Sequence, residues 1–427
     1  MTAQPAIAML PTEEAAKLRG RGPVSAKPYY DPEWWELERK AIFTRTWLHI
    51  GHVCEVPEPG CFIRRDVKAS LLIVRGKDGE VRTFHNACTH RGTQLTQDTH
   101  GKRAQFSCPY HMWTYGTDGR LISAPDFDRF YVAKEDCSLK QVQTEVLAGM
   151  IFINFDPAPR QTAREFFGPI ADEMEALPMA RATSFTEWTY EIEANWKTNF
   201  DNFQENYHLR FIHPRTGEQI IGPENPFGYP THYGFSGPHR SQTLWKNPSP
   251  PPVPETMVMA YARVAALAVK DGVAFPKTDF KLFPCLHVVG LPPNQYTHTM
   301  MPLGPSRTRG TIRMYWTSEA ENASRLFTRE FTAMTIRDVL SEDRHAVEAG
   351  QRGLNSGAVE QVHFQDHEML LRHLYETVEE RVAEYLGRRG PKLRGQIRVR
   401  ATLMPSDWER ECATKGGLSG AADFSDV

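Results

Sequence analysis

The chain has 427 residues, 40% apolar and 24% charged, with a formal net charge of −2; it is long enough for two core-forming domains, is composed like an ordinary soluble globular protein, and has no basic excess with which to bind nucleic acid or an anionic membrane. Its longest apolar runs, 146–155 and 257–269, are too short or too interrupted to span a bilayer, and Glu13 and Glu14 stand where a secretory signal would be basic. Seven cysteines are an odd number in a chain too large to need disulfides, which predicts reduced thiols at Cys54, Cys61, Cys137, Cys285 and Cys412 and a cytoplasmic location.

Residues 1–45 read as an irregular leader followed by a helix, with Asp31 as N-cap and Pro32 in the first turn. From 46 to 156 the pattern changes to short strand-like runs at 61–63, 71–74, 81–84 and 150–155, punctuated by Gly, Pro and Asp: a small all-β domain. Pro157-Ala-Pro-Arg160 marks its exit, and 157–427 forms a second domain. There the expected elements are a helix near 162–175, strands at 188–192, 281–290, 297–302 and 310–316, and long helices at 318–350 and 365–386. The proline-rich stretch from Asn247 to Pro254 is expected to be a surface loop. The fold class is α+β.

Two short segments in the β domain carry chemistry. Cys88-Thr-His90-Arg-Gly and Cys108-Pro-Tyr-His111-Met-Trp each offer one thiolate and one imidazole. A two-iron cluster can take both sulfurs on one iron and both nitrogens on the other, the ligand set of a Rieske centre, and the neutral imidazoles make such a cluster easier to reduce. A structural zinc site is the alternative, although zinc modules usually pair Cys with Cys and His with His.

A second constellation runs from Asn195-Trp-Lys through Asp201-Asn202-Phe-Gln-Glu205-Asn-Tyr-His208 to His213-Pro214. Five residues of regular helix turn about 140° beyond a full circle, so His208 and His213 can share a metal only if the helix breaks between them, and Pro214 favours that break. Two imidazoles need one carboxylate to complete a facial triad for ferrous iron.

Together these motifs resemble the large (α) subunit of the Rieske non-haem iron oxygenases, the ring-hydroxylating and demethylating family, over roughly Tyr30 to Leu386. The first two segments are similar to the family's C-x-H-R-G and C-P-Y-H-x-W, with Met112 at a position that is often Gly. The third is similar to N-W-K…E-N-F-x-E/D-x-Y-H-x4-H-P, and Ser341-Glu342-Asp343-Arg-His-Ala-Val-Glu348-Ala-Gly-Gln351 to a late E-D-x4-E-x2-Q. The resemblance implies a helix-grip second domain, an antiparallel sheet wrapped over helices. It also implies one Rieske [2Fe-2S] cluster on Cys88, His90, Cys108 and His111, and one mononuclear Fe(II) on His208, His213 and Asp343. Glu342 and Asp338 are the other candidates for the carboxylate. In the family an acidic residue bridges a cluster histidine of one subunit and a metal-bound histidine of the next. Glu205 matches that position and would share a helical face with His208; Asp201 is the rival, with Asn202 beside it.

The resemblance further implies a terminal oxygenase that acts on O2 and a small organic substrate in a homotrimer, with or without a small β subunit. Electrons come from a separate reductase or ferredoxin, so NAD(P)H acts only through that partner; no G-x-G-x-x-G follows a strand here. Strand alternation near the metal motif offers Phe200, Phe203, Leu209, Trp245, Phe283, Leu286, Val288 and Met300 as pocket walls, an apolar set that favours an aromatic or other hydrophobic molecule. Demethylation or monooxygenation of a methylamine or quaternary amine is the alternative. An electron carrier alone would need little more than 46–156.

Overall fold

A computed structural model describes residues 9–213, 216–217, 220–245, 247–249, 279–291, 294–318 and 322–387. Pro214, Cys412 and most of the proline-rich stretch lie outside the described residues.

The β-rich region begins with Leu48–His52, which pairs with Met150–Asn154. From there a seven-stranded antiparallel sheet continues through Gln141–Leu147, Val81–His85, Ser70–Arg75 and Cys61–Asp66 to His100–Lys102. A separate three-stranded sheet, Leu121–Ser123, Thr114–Gly116 and Gln105–Ser107, stands beside it. Leu72, Val74, Phe84, Phe106 and Trp113 fill the space between them. The expected strands are present; the three-stranded sheet, built from runs of three residues, is too short to leave a readable period.

The second region is an eight-stranded antiparallel sheet whose central strands are Asp279–Leu282, Leu286–Leu291, Asn294–Gly304 and Arg307–Trp316, with Ser184–Ile192 at one edge. The run expected as one strand at 281–290 is two, folded back on itself at Phe283-Pro284-Cys285, because proline cannot donate to the ladder. At the other edge, Met9–Pro11 of the leader pairs with His232–Ser236. This leader strand and the helix Thr12–Arg19 after it were not expected from the sequence. The helix expected near 162–175 is likewise two helices, Ala163–Phe167 and Ile170–Ala176, parted at Gly168-Pro169.

Three helical segments carry the metal motif and its support. Asp31 caps Pro32–Ala41 as expected, its carboxylate accepting from the Glu33 amide at 2.8 Å. From that helix Glu38, fully buried, reaches Lys197 Nζ at 2.6 and 2.8 Å and accepts from Trp196 Nε1 at 2.8 Å. The Asn195-Trp196-Lys197 motif is therefore a structural clamp: a buried ion pair with added N–H donors ties the N-terminal helix to Trp196–Asp201. The long helix Ala323–Asn355 is fastened to the same place by Gln351, whose Oε1 accepts from the Asn195 amide at 2.9 Å and from Thr198 Oγ1 at 2.9 Å. These ties hold the segment bearing His208 against the helix bearing Asp343.

Candidate metal centres and active site

The two Cys/His loops have one design. In the first, the Cys88 amide bonds Thr93 O and the Gly92 amide bonds Cys88 O, both at 2.8 Å; in the second, the Cys108 amide bonds Trp113 O at 2.8 Å and the Met112 amide bonds Cys108 O at 2.9 Å. Each loop turns on a left-handed residue four places after its cysteine, Gly92 at φ +80° and Met112 at φ +58°. Glycine adopts this conformation freely; a methionine there is strained by about 1 kcal/mol.

The loops bring their side chains together. Cys88 and Cys108 are buried, and the His90 and His111 rings lie 4.6 Å apart between centroids. The Cys88 thiol titrates above its usual range, mainly because it is buried, with Cys108 beside it adding to the effect. His90 stacks on Trp113 at 5.0 Å, and its Nδ1 is buried with no hydrogen-bond partner. Burial, then the nearby His111 and Arg91, lower its pKa and keep it a neutral donor. An orphaned buried imidazole nitrogen, a second imidazole against it and two buried thiols on the same pair of loops are a fit for a Rieske cluster, and the four side chains that could hold it are Cys88, His90, Cys108 and His111.

The second site forms where the chain breaks twice. Trp196–Asp201 ends before the ligands, and a separate short helix, Leu209–Ile212, lies between His208 and His213. His213 follows it at φ −110° and ψ 56°, out of helical geometry, which swings its ring back towards His208. A break between the histidines was expected; the earlier one means that Glu205, Asp201 and His208 share no continuous helical face.

Asp343 Oδ1 lies 2.9 Å from His213 Nε2 and 3.4 Å from His208 Nε2, and the ligand atoms of the three residues lie within 4.8 Å of one another. That oxygen is buried and has no properly oriented hydrogen bond. Each histidine hands its other nitrogen to a carboxylate. His208 Nδ1 contacts Glu205 Oε1, and His213 Nδ1 lies 2.7 Å from Glu342 Oε2, which also accepts from Thr216 Oγ1 at 2.6 Å. Such partners fix the tautomer so that both Nε2 lone pairs face Asp343. Burial opposes charge on His208, but Asp343 and Glu205 outweigh it and lift its pKa to about 9. The pocket thus demands a positive charge, and two imidazoles with one carboxylate are a donor set that ferrous iron fits.

The other sequence candidates divide. Glu205 touches His208 by way of a turn, its Oε2 accepting from the amides of Tyr207 and His208. Asp201 points elsewhere, accepting from Tyr29 Oη at 2.8 Å and Gln204 Nε2 at 3.0 Å; burial pushes its pKa up to about 7. Asn202 caps the helix end, and its Nδ2 is buried without a partner. Phe203 is placed against the His298 ring at 4.8 Å, and Leu209 is buried next to His208. Phe200, Phe283 and Met300 belong to the core shared with Phe43 and Trp196, and Trp245 is half-buried beside residues outside the description.

Leu286 and Val288 correct the expected pocket. They pack with Met150, Phe152 and Phe167 on the opposite face of the sheet, towards the β-rich region. Their register partner across from Leu286, Thr299, bonds His49 of that region at 2.8 Å. The face shared with Phe203 carries His287 and His298 instead, paired across adjacent strands. Neither His287 nor His298 is among the site residues expected from the sequence. A signal was available for part of the set: Asp279 and Lys281 alternate with Phe280 and Leu282, and His287 is the one polar residue of Leu286–Leu291, whereas His298 lies between Thr297 and Thr299 in a strand with no such alternation.

The six described cysteines, Cys54, Cys61, Cys88, Cys108, Cys137 and Cys285, form no disulfide, and no described helix is long and apolar enough to cross a membrane. Residues 46–143 match the family model of the Rieske [2Fe-2S] domain, and residues 179–384 that of the ring hydroxylating alpha subunit catalytic domain. The chain is 35% identical over 202 residues to the glycine betaine monooxygenase oxygenase subunit of Pseudomonas aeruginosa, a match that spans 46% of each and so about half of that relative's length. It is 27% identical to the carnitine monooxygenase oxygenase subunit of Escherichia coli over 82% of this chain and 88% of that one. A solved structure of a quaternary ammonium Rieske monooxygenase shares the fold, with a TM-score of 0.68 at 23% identity over 86% of this chain and 98% of that one. Both family models fall where the two candidate metal sites lie and follow each other in the same order, so the chain belongs to the Rieske non-haem iron oxygenases, as an α subunit.

Proposed function

We propose that this chain is the terminal oxygenase of a multi-protein system, taking electrons from a separate NAD(P)H reductase, directly or through a ferredoxin, and using O2 to oxidise a small organic substrate. The observation that carries the reading is the convergence of His208 Nε2, His213 Nε2 and Asp343 Oδ1 in a chain that also brings two Cys/His loops together. When bound, the cluster supplies single electrons and the ferrous iron activates dioxygen. The chain's residues do the rest. Glu342, steadied by Thr216, orients His213, and Glu205 orients His208.

Glu205 has a further role in this reading, as the acidic bridge to a cluster histidine of a neighbouring subunit in a homotrimer. His213 keeps only 2% of its side-chain exposure, whereas His208 keeps 16% and Glu205 11%. Of the two histidines, His208 is therefore the more accessible from outside the chain.

The substrate class favoured here is a methylated or quaternary amine rather than the aromatic molecule that the expected apolar walls suggested. The glycine betaine and carnitine relatives support this, as does the loss of Leu286 and Val288 from the pocket. The reduced cysteines support a cytoplasmic setting. The test pairs iron analysis with turnover. The purified protein should hold about three irons per chain and, with a surrogate reductase, consume O2 and NADH in step with loss of an added quaternary amine. Two irons per chain and no O2 consumption with any substrate would leave a carrier and overturn the proposal.

A further inference from the structure

The sheet face beside the metal triad holds polar groups that the oxygenase reading does not use. His298 is fully buried on the strand Asn294–Gly304. Its Nε2 lies 2.8 Å from the Tyr190 hydroxyl, which in turn accepts from Asn199 Nδ2 at 3.1 Å. The Tyr190 hydroxyl also lies 3.4 Å from Asn199 Oδ1, but His298 Nε2 at 2.8 Å is much the nearer acceptor, so the Tyr190 proton goes to the imidazole. Burial holds His298 well below the usual histidine range, so it is neutral, and with Nε2 accepting, its one ring proton is on Nδ1. That Nδ1–H has no partner.

The arrangement is built. Tyr190 reaches His298 by lying flat across the opposing strand at Gly310, where a Cβ would stand 2.1 Å from its ring. A buried donor left unpaired costs about 1–3 kcal/mol, so a fold that fixes one in place needs something to fill it.

His298 does not stand alone. Across the ladder His287 is also buried, with its Nδ1 unpartnered. His287 Nε2 and Lys281 Nζ lie 2.8 Å apart, and both contact the same oxygen of the buried Asp279. The Phe203 ring rests against both imidazoles, 4.8 Å from His298 and 6.3 Å from His287. Phe203 belongs to the turn that leads to His208, and the Asp343 carboxylate is close enough for its field to act on His298 and Tyr190. Two orphaned ring nitrogens and a lysine thus border the metal site from the sheet side.

We infer that this face is a subsite for a substrate oxyanion, a carboxylate or sulfonate, whose oxygen accepts from His298 Nδ1–H, with His287 and Lys281 lining its other side. The inference rests on the reading of the triad as the place where substrate is oxidised. It adds that substrate is held at two ends, the reacting carbon at the metal and the anion at the sheet. An uncharged analogue of the same shape leaves the donors less well satisfied and binds more weakly.

The test uses the two conservative replacements of histidine. The amide of glutamine can stand in for Nε2 and that of asparagine for Nδ1. His298→Gln therefore keeps the contact to Tyr190 and loses the subsite donor, and His298→Asn does the reverse. Calorimetry on the loaded wild-type protein, with glycine betaine against its methyl ester and benzoate against methyl benzoate, should show at least one carboxylate bound roughly 10- to 100-fold more tightly than its ester. His298→Gln should bring that ratio to within about twofold, while His298→Asn retains most of it. The inference is overturned if neither carboxylate is preferred, or if His298→Asn loses the preference as completely as His298→Gln. Turnover is scored separately. A protein that prefers the carboxylate but consumes no O2 keeps the subsite and loses the oxygenase, and one that oxidises substrates without that preference does the opposite.

Discussion

The candidate cluster ligands lie within one stretch, Cys88 to His111, on two loops with matching hydrogen bonds; each loop sets its own cysteine by backbone bonds a few residues away, and His90 stacks on Trp113 of the other loop. His208, His213 and Asp343 are gathered differently. A twice-broken segment meets a helix more than a hundred residues further on, and the meeting depends on Glu38 clamping Lys197 and on Gln351 clamping Asn195. A site made by local turns fails when its own turn is altered, whereas a site made by tertiary contacts fails when any of its distant supports is altered. The two centres should therefore be separable by mutation.

The largest expected effect is that of Asp343→Ala. It removes the oxygen on which both Nε2 atoms converge, so the variant should lose mononuclear iron and fall below about 1% of wild-type oxygenation, a loss of roughly 3 kcal/mol or more at the transition state. The cluster should remain, seen as an unchanged Rieske-type signal in the reduced protein. Loss of both iron signals together would show that the two regions cannot be treated as independent.

Next come the two carboxylates behind the histidines. Glu342→Gln should lower iron affinity by about 10- to 100-fold, as outer-sphere partners of metal-bound histidine commonly do. Glu205→Gln leaves an amide oxygen that can still accept from His208 Nδ1 and from the amides of Tyr207 and His208. Iron content should fall less, while single-turnover transfer from reduced cluster to product slows markedly. Equal iron loss in both variants, with normal transfer in Glu205→Gln, would remove the bridging role.

Lys197→Met tests the remote support. Breaking a buried ion pair from one side costs about 3–5 kcal/mol, here towards the lower end because Trp34 and Trp196 still donate to Glu38. Thermal unfolding should shift down, and mononuclear iron should be lost more readily than the cluster.

The contrast between the regions also explains what could be read in advance. Local sites leave their spacing in the sequence, so Cys88, His90, Cys108 and His111 were legible as a set. His208 and His213 were legible through their motif, and Asp343 through its order in the chain rather than from any distance. Glu342 was one of three acids within reach of the assignment, and only the fold shows that His213 sits with Asp343 on one ring nitrogen and Glu342 on the other. The pocket walls were the least legible. Choosing apolar residues near the motif missed the parity of the strand after Pro284, which sends Leu286 and Val288 to the far face and brings His287 to the near one. Helical reasoning likewise placed Asp201 with Glu205, because the break after Asp201 comes from packing and carries no proline or glycine to announce it.

The smallest expected effect sharpens the comparison inside the cluster region itself, where two loops of one design differ at one position. Gly92 and Met112 both adopt left-handed backbone, and neither owes its conformation to crowding. A Cβ at Gly92 would meet nothing within 4 Å, and the Met112 side chain is 57% exposed. Backbone preference is then nearly the whole difference between them. Gly92→Ala should destabilise the protein by about 1 kcal/mol. Met112→Gly relieves a similar strain but adds freedom to the unfolded chain, which leaves a gain of about 0.5 kcal/mol. Paired melting curves on the loaded protein would check both, the first moving down by a few degrees and the second up by about one. If Met112→Gly instead lowers the melting temperature, the methionine contributes more to the loop than its strain subtracts, and the likeness of the two turns does not extend to their energetics.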